Sequence, residues 1–547
     1  MTELEALYLE ALRVYAPERL PETYREIVGL PVKCAFGLNF RIRNRWNDFS
    51  VEQRMILTTY LQRPSTLPES YVSPSGRFRV HYATIGYDAV SAEDLDGSGI
   101  PDYVEETGRS LDYVYSVEVE QLGFKPPPDD ENHDGPEWDV YIIDMPHGYG
   151  STNTDALLSR NPDVYSSYMF VDNNYTHTQT KGLDGLRVTL AHEFFHMIQM
   201  GYNGRENNFG GFADLFLMEA GSSWMEDVCY DDVNDYYFWL TSVFNATNIA
   251  FDYDEYWHGV GLCVWFHFLE KRTGSREFAR KIWEQIVNYP AVEATDMALR
   301  EMGRTFEDEL PVFYGWNYLT GSRADASRFY PEGLEYPEMK LDGAFVFEHD
   351  TTVSRSVRHL ACRYFQFQYD DASTFTLIPT NMHRNSDAPE GAFFLVIAHD
   401  DHNPLNTDLE NGVQTRLISD TFLQWRCVAV VEFPDGQTLF IPFIGSPGPD
   451  IDESLPASYP NPFVLGQHSM TTIPFILEKP GVVKILIMHP SGYGIENMER
   501  YYASSGLQFY QWNGLDRDGR EVPGGIYLYI IIVDRKLLRK EKIAVVR

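Results

Sequence analysis

The chain has 547 residues, more than one hydrophobic core accommodates, so several domains are expected. Apolar residues make up 44% and aromatic residues 14%, a composition that builds cores and excludes long disorder as the main state. A formal net charge of −36 repels phosphate backbones and excludes nucleic acid as a partner.

The N-terminal stretch MTELEALYLEALRVYAPERL is amphipathic and acidic. It has neither the basic start nor the apolar run of a signal peptide, so none is visible. No run of about 18 apolar residues occurs, and no membrane insertion is expected. Residues 1–74 read as a helical and loop segment. Residues 76–90 alternate in polarity like a strand, a helix is expected over 102–122, and buried strands over 138–145 and 166–173. The last of these, SSYMFVDN, offers an edge to an extended substrate. Leu186, Leu190, Phe194 and Met197 fall at helical spacing and predict a helix from about Asp184 to Met200, with Gly201 as its stop. Further helices run to about residue 320, which makes 75–325 a mixed α+β unit. After Tyr330 the segments become short, β-rich and punctuated by turns. This predicts a β-sandwich over 340–446, a Pro- and Asp-rich linker at 446–456 and a second β domain over 455–547. Cys34, Cys229, Cys263, Cys362 and Cys427 are widely spread and show no CxxC spacing.

Two stretches have the spacing of ion sites. SAEDLDGSGIPDYVEE places Asp94, Asp96, Ser98 and Asp102 at positions one, three, five and nine of a twelve-residue calcium loop. Ile100 offers its carbonyl at position seven, and Glu105 closes the loop at twelve. A strand precedes it, so one isolated calcium loop is expected; the same residues also suit an Asp/Gly turn that caps the next helix. In LAHEFFHMIQ, His192 and His196 are four apart, so a helix projects both from one face toward a shared metal. Glu193 lies about 100° further round and can reach a water in the open position of a catalytic zinc. Glu219, in LMEAGSSWMED, supplies a third ligand from the next helix. Glu226, seven residues on and on the same face, is placed to fix a histidine tautomer, with Asp227 as the fallback.

H-E-F-F-H followed by E-A-G-S-S-W-M-E resembles the gluzincin peptidases, especially the aminopeptidase N type. That resemblance implies zinc on His192, His196 and Glu219, Glu193 as general base and Glu226 behind the ligands. It also implies an oxyanion donor from a Y-x-x-G segment, here Tyr256-Trp257-His258-Gly259, with Tyr256 first and His258 second. The spacing to Glu219 is longer than in that family, Met218 replaces an asparagine, and no G-x-M-E-N segment is found. These departures point to an endopeptidase acting on protein or peptide.

SYPNPF, then QWNGLDRDGREVPGGIYLYIIIV, is similar to the immunoglobulin-like C-terminal domains of bacterial secreted proteins, related to the flagellar hook scaffold. Some of those act as type IX sorting signals, which implies secretion or surface attachment through 455–547; a plain structural sandwich is the other reading. The expected architecture is therefore multidomain: an α+β zincin-like metallopeptidase domain followed by two β-sandwich domains. A surface adhesion or scaffold protein with an inactive peptidase fold is the alternative function, and a non-peptide amide is the alternative substrate.

Overall fold

The computed structural model describes residues 2–25, 32–129, 133–157, 164–203, 214–253, 256–347 and 360–369, strands between 374 and 444, and most of 458–547. It mixes helices with several sheets and divides into two compact units, Met1–Ala246 with Asp252–Met339, and Thr247–Phe251 with Lys340–Arg547. Among the described residues, no helix is long and apolar enough to cross a membrane.

The first unit begins with helices α1 (Glu3–Tyr15), α2 (Glu22–Arg25), α3 (Phe36–Asn44) and α4 (Val51–Leu61). Longer helices follow, α5 (Asp102–Tyr115), α6 (Gly182–Met200) and α7 (Leu215–Cys229). Then come the short α8 (Tyr236–Trp239), α9 (Thr241–Phe244) and α10 (Tyr256–Gly261), and further helices reach Tyr318. Its strands are β1 (Val32–Cys34), β2 (Glu69–Val72), β3 (Phe78–Tyr82), β4 (Trp138–Ile143), β5 (Gly148–Leu157) and β6 (Tyr165–Asp172). They form one sheet in the order β1-β5-β6-β4-β3-β2. β3, β4 and β6 run parallel, β5 is antiparallel to β6, and β1 is parallel to β5 with Val32 opposite Gly148 and Cys34 opposite Gly150.

Every residue of α6 from Val188 to Met200 is buried, as is all of α7. A helix enclosed on all sides belongs between layers, and α6 packs on β5, β6, α5 and α7. Strand alternation sorts the side chains of β5 to two sides. Gly150 and Thr152 face α6, where Thr152 Oγ1 donates to Glu193 Oε2 at 2.8 Å. On the other side Asn39 Nδ2 donates to Ser151 Oγ and Asn153 Oδ1, both at 2.7 Å, and Tyr15 OH donates to Asn39 Oδ1 at 2.9 Å.

The sequence boundary at residue 74 does not coincide with a unit boundary, because β1 and β2 are strands of the same sheet as β3–β6. The expected edge at 166–173 is also corrected: β6 lies between β5 and β4, and the strand toward the rim is β5, which β1 covers at Gly148–Gly150. Of the alternating stretch 76–90, Phe78–Tyr82 is strand.

In the second unit, Gly343–Phe347, Cys362–Tyr369, Phe393–Phe394, Ile397–His399, Thr415–Arg416 and Thr438–Ile444 form one sheet. Thr374–Leu377 pairs with Ala429–Glu432 in another. The rest of 340–446, the linker at 446–456 and Cys427 lie outside the described residues. Toward the C-terminus, Phe463–Val464, Lys536–Val546, Gly525–Val533, Gly481–Met488 and Gly494–Tyr502 make a five-stranded sheet, and Thr471–Leu477 pairs with Gly506–Trp512. Both sheets feed one core that includes Ile473, Phe475, Ile485, Trp512, Tyr529 and Ile543.

Candidate metal centre

Three buried side chains converge inside the first unit: His192 and His196 from α6 and Glu219 from α7. The two Nε2 atoms are 3.1 Å apart, and Glu219 Oε2 lies 3.3 Å from His192 Nε2 and 3.7 Å from His196 Nε2. A tetrahedron with arms of about 2.0–2.1 Å has edges of about 3.3 Å, so this triangle has the size of one face of a zinc site.

The outer hydrogen bonds say what the inner atoms need. Glu226 Oε1 accepts from His192 Nδ1 at 2.7 Å. Gln199 Oε1 accepts from His196 Nδ1 at 2.7 Å, and its amide orientation is set because Gln199 Nε2 donates to the Met218 carbonyl at 3.0 Å. With both Nδ1 atoms protonated, each neutral ring presents a lone pair on Nε2. Two lone pairs and a carboxylate oxygen then face one point, an arrangement that only positive charge satisfies. The pocket also favours positive charge in the absence of an ion: burial alone lowers the His192 pKa, but Glu219 and Glu226 outweigh it and push it up to about 9, and a cation bound at Nε2 would take the place of that proton. Burial raises Glu219, yet His196 and His192 bring it below its ordinary value. Neither Glu219 carboxylate oxygen has a hydrogen-bond partner. The donor set, two imidazoles and a carboxylate, suits zinc.

Glu193 is fully buried beside this triangle, one oxygen held by Thr152 and Oε1 without a hydrogen bond. Burial raises its pKa against the lowering influence of His192 and His196, which moves a carboxylate toward the range of a working base. Two glycines make room. A Cβ on Gly150 would sit 3.0 Å from Glu193 Cγ and 2.6 Å from Thr189 Cγ2. A Cβ on Gly259 would sit 2.9 Å from Glu219 Cβ and 3.0 Å from Phe216 Cα, so α10 crosses α7 closely at the carboxylate.

Residues that sequence reasoning passed over complete the site. Lys33, on β1, forms buried ion pairs with Glu226 Oε2 at 2.7 Å and with Asp235. Cys34, next along, offers its sulfur within 4.8 Å of the ligand atoms of His192, His196 and Glu219. The Phe36 ring stacks on His196 with centroids 4.3 Å apart. Gln199 was legible, since it stands three positions after His196 on the same helix face. Nothing in the spacing of Lys33 and Cys34 ties them to α6.

Other expected residues are placed differently. Asp227, the fallback behind the histidines, instead groups with Asp231 and Glu332, its Oδ2 3.9 Å from His267 Nδ1. Glu226 already holds His192, and residue 227 is turned about 100° round the helix from it. His258 is buried on α10, its ring 6.1 Å from that of Tyr253. Tyr256 starts α10, and its side chain lies outside the described residues. In the acidic loop, Asp94, Asp96 and Asp102 come together. Asp94 accepts from the amides of Gly97, Ser98 and Gly99, and Ser98 Oγ donates to the Ile100 carbonyl at 3.3 Å. Glu105 does not join them: its carboxylate is 3.3 Å from Arg109 Nη1, one helical turn away.

No protein-family model matches the chain, and no curated protein matches it. Among solved structures it has partial similarity to PorZ, a surface component of the type IX secretion system of Porphyromonas gingivalis, at 20% identity over 20% of this chain and 14% of that one, TM-score 0.14. It is similar to PorU of the same organism at 12% identity over 32% of this chain and 18% of that one, TM-score 0.16. A pullulanase of Anoxybacillus sp. LM18-11 gives 14% identity over 32% and 27%, TM-score 0.12. The chain thus spans less than a third of each neighbour, and these overlaps assign it neither fold nor activity.

Proposed function

We infer that the chain is a zinc-dependent endopeptidase of gluzincin type, with a zincin-like catalytic domain and an exported life. The observation that carries this is the convergence of two imidazole lone pairs and a carboxylate oxygen on one point, with the buried carboxylate of Glu193 beside them. His192, His196 and Glu219 would hold zinc, which would supply Lewis-acid polarisation of a scissile carbonyl and a water acidic near neutral pH. Glu193 takes the proton of the attacking water and hands it to the leaving amine, a role that its raised pKa favours. Glu226 and Gln199 hold the imidazoles in the tautomers that ligation requires. Tyr256 is assigned as oxyanion donor, with His258 as the second candidate. About one zinc per chain is expected by elemental analysis, and Glu219→Ala should weaken zinc binding by more than about tenfold. Undiminished zinc affinity in Glu219→Ala would remove the ligand assignment.

The Asp94–Glu105 loop is assigned to calcium on its twelve-residue spacing, supported by the grouping of Asp94, Asp96 and Asp102. Binding requires Glu105 to exchange Arg109 for the ion. Calcium at a hundred times Kd should then stabilise the fold by about 2.7 kcal/mol. Thermal melting with and without a calcium chelator, at fixed zinc, checks this. No shift in the wild type would show that the loop is a hydrogen-bonded turn that binds no calcium, and equal shifts in the wild type and Glu105→Gln would remove Glu105 from the ligands.

The C-terminal sheets and their shared core support a sandwich, and its proposed role in sorting or attachment rests on the resemblance of SYPNPF and the strands that follow. A chain ending at residue 450 is expected to retain zinc and hydrolysis but lose surface retention, followed by cell fractionation. Loss of hydrolysis in a truncated chain with an unchanged melting profile would tie that domain to catalysis instead.

A further inference from the structure

The metal triangle leaves one tetrahedral position, and the chain itself brings a sulfur close to the triangle. Cys34 is buried and not in a disulfide. Its Sγ lies within 4.8 Å of the ligand atoms of His192, His196 and Glu219. Two imidazoles and a carboxylate are unusual company for a cysteine that merely fills a core, since a buried thiol ordinarily behaves as a small hydrophobe. The backbone around it is shaped for a sulfur ligand, because the Phe36 N–H donates to Cys34 Sγ at 3.3 Å. The Glu219 oxygens are fully buried and without hydrogen bonds, Oε2 lying 3.3 Å and 3.7 Å from the two imidazole nitrogens.

The way Cys34 arrives suggests what it does. It is the last residue of β1, which pairs with β5 along Gly148–Gly150, the strand that faces Glu193. An extended peptide bound beside the centre would add to a sheet rim in this manner. Phe36 covers His196, and the Gly37 position lies against Leu215 and Glu219. Behind β1, the helices of the N-terminal segment carry apolar clusters built from residues 4–61, among them Leu7, Val14, Leu38, Ile42 and Leu57. The segment therefore has a core of its own, to which Val32 of β1 belongs, and β1 pairs from there with β5.

We propose that Cys34 is the fourth ligand of the metal centre and that residues 1–62 hold the peptidase latent by this contact. The proposal rests on the metal-site assignment above. On metal binding the thiol gives its proton to solvent and ligates as thiolate. A centre with four protein ligands is closed, whereas catalysis needs an open position for water. Release of the Cys34 sulfur from the metal restores that position, while β1 stays paired with β5 and anchored by the Lys33 ion pairs.

Cobalt(II)-loaded protein tests the ligand directly. Wild type should show a thiolate-to-cobalt charge-transfer band in the near ultraviolet, and zinc-loaded protein a sulfur neighbour at about 2.3 Å by X-ray absorption. Both signals should vanish in Cys34→Ser and Cys34→Ala at unchanged metal content and melting behaviour, Cys34→Ser being the nearly isosteric control. Casein hydrolysis should rise at least about tenfold in Cys34→Ala, the opened position being the one that water requires. Identical spectra in wild type and variants, with metal bound, would overturn the Cys34 assignment and leave the metal site standing. Failure of wild type to bind metal would instead refute the site on which the proposal rests. Loss of the sulfur signal without any gain in hydrolysis would make Cys34 a permanent structural ligand and end the latency proposal.

Discussion

Glu193→Gln, placed in the Cys34→Ala chain so that the centre is open, is expected to lower casein hydrolysis by about 10²–10⁴-fold without loss of zinc. The reasoning is geometric. Glu193 sits on α6 directly after His192, yet its side chain turns toward β5, where Thr152 holds one oxygen and the other has no hydrogen bond. Glutamine keeps the shape and the bond to Thr152 but cannot accept the proton. The metal ligands are untouched, so elemental analysis should give the same zinc content in both chains. Burial has already raised the Glu193 pKa, so the neutral amide costs the fold little and the melting temperature should hold. Retained hydrolysis in Glu193→Gln would refute the general-base mechanism.

Lys33→Met is expected to destabilise the first unit by about 3–5 kcal/mol, the usual effect of stripping one partner from a buried ion pair. Lys33 is 2% exposed and neutralises two buried carboxylates, Glu226 and Asp235. Burial would lower the Lys33 pKa, but Asp235 and Glu226 outweigh it and raise it. Burial would raise Asp235, but Lys33 outweighs it and holds it below its ordinary 3.8. The signs fix the pH window. A depressed carboxylate stabilises above its unfolded pKa and loses that contribution as acid protonates it in the fold. A raised lysine stabilises below its ordinary 10.5 and loses that contribution in strong alkali. The penalty of Lys33→Met should therefore be near its maximum at neutral pH and shrink below about pH 4. Denaturant unfolding at pH 7 and pH 3.5 measures it; an equal loss at both would place the effect in packing. Asp235→Leu in the same chain removes one of the stranded charges and should recover part of the loss.

The central part of this site was legible in the sequence because it is local. His192, Glu193 and His196 lie within one helical turn and a half, and the apolar positions of α6 announce the helix that orients them. Glu219 and Glu226 lie on the next helix, again at helical spacing. The support was not legible. β5 reads GYGSTNTDAL, with none of the apolar alternation that marks a strand, because its inward groups are satisfied by Asn39 and Glu193 and not by a hydrophobic layer. Three-residue β1 is too short for any pattern to reveal. Its partnership with β5 joins segments more than a hundred residues apart, and only the closed sheet shows that Cys34 reaches the histidines and Lys33 the carboxylates of Glu226 and Asp235. The acidic loop makes the opposite point. Its spacing satisfies every position of a calcium loop, yet Glu105 rests on Arg109, a neighbour one turn along that the motif does not consider.

The pairing of β1 with β5 has a further consequence for how the protein behaves in solution. A chain beginning after residue 62 presents the outer amides and carbonyls of Gly148–Gly150 without a partner, and such a rim pairs with the next strand it meets. For a peptidase that strand is a substrate or a second copy, so aggregation competes with turnover. Residues 1–62 carry eight acidic and eight basic side chains, so the net charge of −36 stays entirely on the remainder. Mutual repulsion then keeps shortened copies apart at low salt and weakens as salt screens it. Colloidal stability of such a chain should accordingly fall with ionic strength, while peptides of low charge still reach the open rim.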